Sequence, residues 1–376
     1  MKNILFLTGT RADFGKIKSL LEILSKDENY NIHIFVTGMH MLKRYGYTCL
    51  EVDRLGFGEI YKFINQNPGD SMDIVMAKTM QGLSDYLKEH TIDMLVVHGD
   101  RVEALAGATT AALNNILVAH IEGGEVSGTI DELIRHAVSK LSHIHFVSNE
   151  EAGKRLIQLG ENPEYVKVIG SPDMDAMLSP NLPTLSEVKE YYKFGFDKYS
   201  VVMYHPVTTE YENAYQNAEN LVNALLDSDK NYIVIYPNND HGSVEIIKAY
   251  KKLEGRENIK IYPSMRFEYF LTLLKNCDMM IGNSSAGVRE CPFYGKPAVN
   301  IGSRQHKRVT SECIIDCGSY ESIDILNAID SASKKTGLTK EALFGTGNSA
   351  ELFLEALKEI FCSDVKVQKH FIDLPA

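Results

Sequence analysis

The chain has 376 residues, 44% of them hydrophobic and 24% charged, and its 39 Lys+Arg against 50 Asp+Glu give a net charge of −11. Those fractions exclude disorder, collagen and coiled coil, and the length predicts two domains. The excess of acid excludes a broad basic face for nucleic acid or anionic lipid, but leaves small anionic ligands open.

In chain order, Met1 to Thr10 passes from a short apolar run straight into Gly-Thr-Arg. It lacks the long apolar stretch and small-residue cleavage site of a signal peptide, and reads as a buried strand. Strands are predicted over 4–8, 32–37, 94–98, 117–121, 143–147 and 166–169, with helices over 14–24, 72–89 and 101–113. The uncharged stretch 104–121 approaches membrane-spanning length, but Thr109, Thr110, Asn114, Asn115 and His120 divide it into helix, turn and buried strand. Residues 172–183 hold three prolines among Ser, Asp and Asn and read as an interdomain linker. A second series of strands follows at 199–204, 232–236, 259–262, 279–281, 298–301 and 313–315, with helices over 214–226 and 267–275. Short apolar runs alternating with helices mark βαβ units, so the chain reads as α/β with two consecutive doubly wound halves. The six cysteines (Cys49, Cys277, Cys291, Cys313, Cys317 and Cys362) are scattered and form no CxxC unit. No disulfide framework or zinc knuckle is predicted, and a cytoplasmic protein with reduced thiols is expected.

Ligands of such sheets bind beyond the carboxyl ends of the strands, so the residues after each strand carry the functional reading. After the first comes Thr8-Gly9-Thr10-Arg11-Ala12-Asp13-Phe14-Gly15-Lys16. Small residues, a helix amino terminus and two cations suit an anion, although an ordinary turn capped by Asp13 would read the same. It is neither GxGxxG nor a Walker loop. His98-Gly99-Asp100-Arg101 sets a carboxylate beside a guanidinium, with a plain helix cap as the alternative. His120-Ile121-Glu122-Gly123-Gly124-Glu125 leads through Gly128 to Asp131-Glu132 and a helix bearing Arg135, His136 and Lys140. Carboxylates in unlike environments are what acid–base chemistry on a sugar needs. In the second half, His205-Pro206-Val207-Thr208-Thr209 and Tyr236-Pro237-Asn238-Asn239-Asp240 each follow a strand. Gly282-Asn283-Ser284-Ser285-Ala286-Gly287-Val288-Arg289-Glu290 is a diphosphate cradle in outline, with Glu290 placed to accept from ribose hydroxyls. The run Gly302-Ser303-Arg304-Gln305-His306-Lys307-Arg308 is locally basic. His143 and His145 alternate along one strand without ligand companions and read as packed or hydrogen-bonded, so no metal is required.

Taken in order along nearly the whole chain, these motifs resemble the hydrolysing UDP-N-acetylglucosamine 2-epimerases of bacterial sialic acid synthesis. The resemblance implies a GT-B-like fold. Two Rossmann-like domains, 1–175 and 184–350, would flank an interdomain cleft that holds the active site, and a last helix within 351–376 would return to the first domain. It implies conversion of UDP-N-acetylglucosamine and water to N-acetylmannosamine and UDP: trans-type elimination of UDP gives a 2-acetamidoglucal, and water adds with the opposite configuration at carbon 2. Asp100, Glu122 and Asp131 match the catalytic carboxylates, with Asp131-Glu132 standing where relatives often carry two aspartates. Arg11, Lys16, Arg101, His205, Asn238, Arg266, Ser284, Ser285, Gly287, Glu290 and Arg304 are the expected UDP-sugar contacts. No cofactor, metal, nucleic acid or membrane is implied, and a homodimer or dimer of dimers is. The chemistry is coherent: the C2 proton becomes acidic once diphosphate departure gives C1 oxocarbenium character, and cationic and amide donors stabilise the leaving diphosphate. Two alternatives are the same chemistry on UDP-N,N'-diacetylbacillosamine, toward legionaminic acid, and a GT-B glycosyltransferase.

Overall fold

The computed structural model describes residues 1–67, 69–127, 129–305, 308–363 and 365–373. Gly128, His306 and Lys307, which fall within the motifs above, lie outside the described residues. The chain divides into two compact units: Met1–Glu125 with Asp131–Ser179 and Phe344–Ala376, and Val126–Ile130 with Pro180–Leu343.

The first unit is built on seven parallel strands: β1 (Lys2–Thr8), β2 (Tyr30–Val36), β3 (Glu59–Lys62), β4 (Met94–His98), β5 (Leu117–Ile121), β6 (Ile144–Val147) and β7 (Val166–Val168). Their order is β3-β2-β1-β4-β5-β6-β7. The central strands are apolar without alternation because helices cover both faces of such a sheet. Strand β3 departs from that pattern, being a short, largely exposed edge whose residues carry only a weak alternation. Chain order reverses between β1 and β4, so the loops after these strands flank the sheet's switch point.

The core of this unit is completed from the far end of the chain. Helix Ser349–Cys362 inserts Phe353, whose ring centroid lies 4.7 Å from that of Phe146 and 6.4 Å from that of Phe6. Its amino terminus is capped by Asp175, which accepts from the Ser349 and Ala350 amides at 2.9 Å each. Asp175 belongs to helix Pro172–Leu178, where composition predicts linker. The first unit runs to Ser179.

The second unit holds β8 (Ser200–Met203), β9 (Tyr232–Ile235), β10 (Ile259–Tyr262), β11 (Met280–Gly282), β12 (Ala298–Ile301) and β13 (Ile314–Cys317). All pairings are parallel in the order β10-β9-β8-β11-β12-β13, which puts the switch point between β8 and β11. All six cysteines are free thiols, and five are buried. No helix among the described residues is long and apolar enough to cross a membrane, and no group of three or more His, Cys, Asp or Glu among them could hold a metal ion.

Candidate active site

Each unit gathers polar side chains at its own switch point. In the first, the loop after β1 is fixed by a hydrogen-bonded chain whose direction is set by its ends. Thr48 Oγ1 donates to His40 Nδ1 at 2.6 Å, His40 Nε2 donates to Thr8 Oγ1 at 3.1 Å, and Thr8 Oγ1 donates to Asp13 Oδ1 at 2.6 Å. Burial pushes His40 down to about 4, so the ring is neutral and can pass the bond along. Asp13 also accepts from the Gly9 and Thr10 amides at 3.0 Å each and completes a capping box with Thr10. The ordinary-turn alternative therefore describes Asp13. Arg11 Nε lies 2.8 Å from Glu51 Oε2. Lys16 Nζ lies 3.0 Å from Asp173 Oδ2 and 3.7 Å from Glu122 Oε2.

Glu122, just past β5, is 4% exposed and sits at φ 63°, a left-handed conformation that a side chain rarely adopts and that persists where the surroundings impose it. Ser171 donates to its Oε1, and His98 Nε2 lies 3.2 Å from its Oε2. Lys16, His98 and Ser171 thus converge on one carboxylate. Gly124 closes the turn at φ 75°, and a Cβ there would lie 2.2 Å from the Ala152 carbonyl, so only glycine fits. Asp100 pairs with Arg135, a residue 1% exposed whose guanidinium also donates to the Glu125 carbonyl at 3.2 Å. Behind them His120 Nε2 donates to the Gly99 carbonyl at 2.8 Å and Nδ1 accepts from Ser139 at 3.0 Å. Burial drives this ring down to about 3, which keeps it neutral. Arg101 Nε reaches buried Glu103 at 3.2 Å. Asp131 stands half-buried in the first turn of helix Ile130–Leu141, while neighbouring Glu132 lies 3.5 Å from His136.

In the second unit, Asn283 follows β11 and reads the backbone of His205, which follows β8. Its Oδ1 accepts from the His205 amide at 2.6 Å and its Nδ2 donates to the His205 carbonyl at 2.9 Å. The bonds straddle the switch point, and Gly282 permits the approach: at φ 136°, a Cβ there would lie 2.0 Å from the Met203 carbonyl. His205 Nδ1 accepts from the Asn238 amide at 3.0 Å, so the neutral ring carries its proton on Nε2. The Asn283 carbonyl accepts from Arg304 Nη1 at 3.3 Å and from Gln305 Nε2 at 3.1 Å. Ser284 is buried and caps the short turn Ser285–Gly287, accepting from the Ala286 amide at 3.3 Å. Glu290 is buried at the start of helix Glu290–Tyr294. Gly287 has room for a methyl group, the nearest atom lying 3.5 Å from a built Cβ. Arg266 lies over the rings of Tyr191 and Tyr269, 4.7 and 5.7 Å from their centroids, and its amide donates to the Tyr192 hydroxyl at 2.8 Å.

The expected residues thus form two sets, each within one unit. Arg11, Lys16, Asp100, Arg101, Glu122 and Asp131 follow strands of the first sheet, and His205, Asn238, Arg266, Ser284, Ser285, Gly287, Glu290 and Arg304 belong to the second unit. Sequence reasoning missed Ser171 and Asp173, because both fall at or within the segment that reads as linker. It also passed over Asn283 and His98 as motif members without a role.

A family model described as UDP-N-acetylglucosamine 2-epimerase matches residues 22–358. A Neisseria meningitidis protein named UDP-N-acetylglucosamine 2-epimerase is 47% identical over 377 aligned positions and covers 100% of both chains. A Legionella pneumophila protein named UDP-N,N'-diacetylbacillosamine 2-epimerase (hydrolyzing) is 33% identical over 96% of each chain. Among solved structures, a Neisseria meningitidis UDP-GlcNAc 2-epimerase bound to UDP-GlcNAc superposes with a TM-score of 0.79 at 20% identity, covering 95% of this chain and 100% of the other. The shared fold is the GT-B-like pair of parallel-sheet α/β domains expected from the motifs.

Proposed function

The chain belongs to the UDP-N-acetylglucosamine 2-epimerase family, and from that premise we propose that it is the hydrolysing type, converting UDP-N-acetylglucosamine and water to N-acetylmannosamine and UDP as the first step of sialic acid synthesis. The observation that carries the reading is Glu122, held in a left-handed conformation among Lys16, His98 and Ser171 at the carboxyl end of β5. A buried carboxylate gripped in this way suits proton transfer at a sugar carbon. Elimination breaks the C1–O bond to UDP and the C2–H bond and leaves the glucal; hydration then adds hydroxyl at C1 and a proton at C2 from the opposite face. Asp100 and Asp131 serve chiefly in glucal formation and Glu122 in proton transfer, while Arg11, Arg101, His205, Asn238, Arg266, Ser284, Ser285, Glu290 and Arg304 receive the UDP portion. Lys16 supports Glu122 from within the ion-paired cluster.

Hydrolysis is supported by the 33% identity to the Legionella protein so named, and N-acetylglucosamine as the sugar by the 47% identity to the Neisseria relative. The enzyme is read as cytoplasmic and homodimeric. Proton NMR of the reaction with UDP-N-acetylglucosamine in deuterated water tests the proposal. Free N-acetylmannosamine deuterated at carbon 2 is the expected product, and UDP-N-acetylmannosamine would overturn it. The Legionella similarity favours one second reading, a diacetylated bacillosamine substrate, and a higher kcat/KM for that UDP-sugar in parallel assays would establish it.

A further inference from the structure

The segment after helix Ser349–Cys362 returns to the first unit and lies across the end of helix Ile130–Leu141. That helix carries Asp131 in its first turn and holds Asp100 through Arg135. Lys369 Nζ donates to the carbonyls of Ser139 at 3.2 Å, Lys140 at 2.8 Å and Ser142 at 2.6 Å. The last carbonyls of a helix have no partner within it, and a cation there complements the helix dipole. Here the capping cation comes from 230 residues downstream of Ser139. The same ammonium pairs with Glu161, which is 1% exposed and also receives Lys140 at 2.8 Å and His145 at 3.0 Å.

The backbone of the segment is fastened as well. His143 Nε2 donates to the Val367 carbonyl at 2.9 Å while its Nδ1 accepts from the Val118 amide of β5 at 3.0 Å. The Ile372 amide donates to the Gly160 carbonyl at 3.0 Å, and Lys140 Nζ lies 5.0 Å from the centroid of Phe371. Two connections lead from this anchorage to the carboxylates. One is the helix itself, from Ser139 back to Asp131. The other starts at Ser139, whose hydroxyl donates to His120 and thereby, through Nε2, reaches the Gly99 carbonyl beside Asp100.

We infer that Lys369 is a positioning residue for the reaction: by capping helix Ile130–Leu141 it sets the axial placement of Asp131 and of the Arg135–Asp100 pair. The inference rests on the proposed reading that these carboxylates act on the UDP-sugar. A shift of about 1 Å in a reacting group can cost on the order of 100-fold in rate, so a cap that fixes helix placement has leverage on turnover. Of the residues assigned to UDP, those from His205 to Arg304 belong to the second unit, and none of the contacts just described is made by Arg11 or Arg101.

The test uses full-length wild type, Lys369→Met, Lys369→Gln and Lys369→Arg, assayed for free sugar release well below the lowest melting temperature. Lys369→Met is expected to lower kcat by roughly tenfold with KM and UDP affinity within about twofold of wild type. Lys369→Arg, which restores the charge and donors, retains most of the turnover, and Lys369→Gln, a donor without charge, falls between. Wild-type kcat in Lys369→Met overturns the inference even if its melting temperature drops, since the segment would then be a stabilising clasp alone. Loss of UDP affinity in step with kcat overturns it too. If Lys369→Met does not fold, wild-type kcat in Lys369→Gln decides against it. Absence of free sugar from wild type would instead reject the hydrolytic reading.

Discussion

Replacing Lys16 by Met separates two roles for this lysine. Its ammonium lies 3.0 Å from Asp173, whose side chain is 0% exposed, and its own side chain is 12% exposed. At an effective dielectric of about 20, the Coulomb attraction at that separation is about 5.5 kcal/mol, most of which offsets the desolvation of the two charges. Removing the lysine alone takes the cation from a fully buried carboxylate, and breaking a buried pair from one side costs about 3–5 kcal/mol. For a folding unit of this size, that loss lowers the melting temperature by roughly 6–20 °C. Asp173→Asn costs less, because Lys16 keeps Glu122 at 3.7 Å. The double variant Lys16→Met/Asp173→Asn removes both charges of the 3.0 Å pair together, so it should recover about 2 kcal/mol relative to the sum of the singles. Urea and thermal unfolding of the four proteins give the cycle, and NMR turnover and UDP calorimetry run alongside it. A Lys16→Met protein of wild-type stability that has lost UDP affinity would refute the reasoning and return Lys16 to the diphosphate role expected from the sequence. Additive singles would refute the pairing itself.

Asn283→Ala removes both hydrogen bonds that hold His205, at about 0.5–1.5 kcal/mol each, so UDP affinity by calorimetry is expected to fall about 5- to 150-fold, and an unchanged Kd would show that the loop is set by something else. Acid should destabilise the protein through its buried histidines: His40 at about 4 and His120 at about 3 are both well below the free imidazole value of 6.5. Their stability contribution is complete above about pH 6.5 and is lost as pH falls through those values, because the unfolded chain binds the extra protons. Glu161 acts in the same direction. Burial pushes it up, but the hydrogen bond from His145 and its ion pairs outweigh that and leave it at about 2, so its contribution is present above its ordinary 4.5 and lost as pH falls toward 2. Urea midpoints should therefore drop steadily from pH 6.5 to pH 4, and a midpoint that rises on acidification would contradict the assigned protonation states.

The fold was legible wherever burial left a pattern. Strands β4 and β5 are continuous apolar runs, and their bounds match those read from the sequence; β3 is exposed and alternates weakly. The carboxylates were legible for a related reason: Asp100 and Glu122 stand just past buried strands, where a doubly wound sheet presents its ligand face. What holds them was hidden, because Arg135, Ser171, Asp173 and Lys369 reach the site or its supporting helix through folding alone. The segment 172–183 shows where composition misleads. Its prolines, serines and acids read as linker, yet Pro172 opens a helix, a position at which its missing amide costs nothing. Asp173 and Asp175 in that first turn favour the helix amino terminus, and Met174 and Met177, three apart, bury one face. Those four residues distinguish a helix start from a linker without any structure. Read that way, they place Asp173 at a buried helix start, next to Ser171, and make both candidates for the support that Lys16 and Glu122 receive.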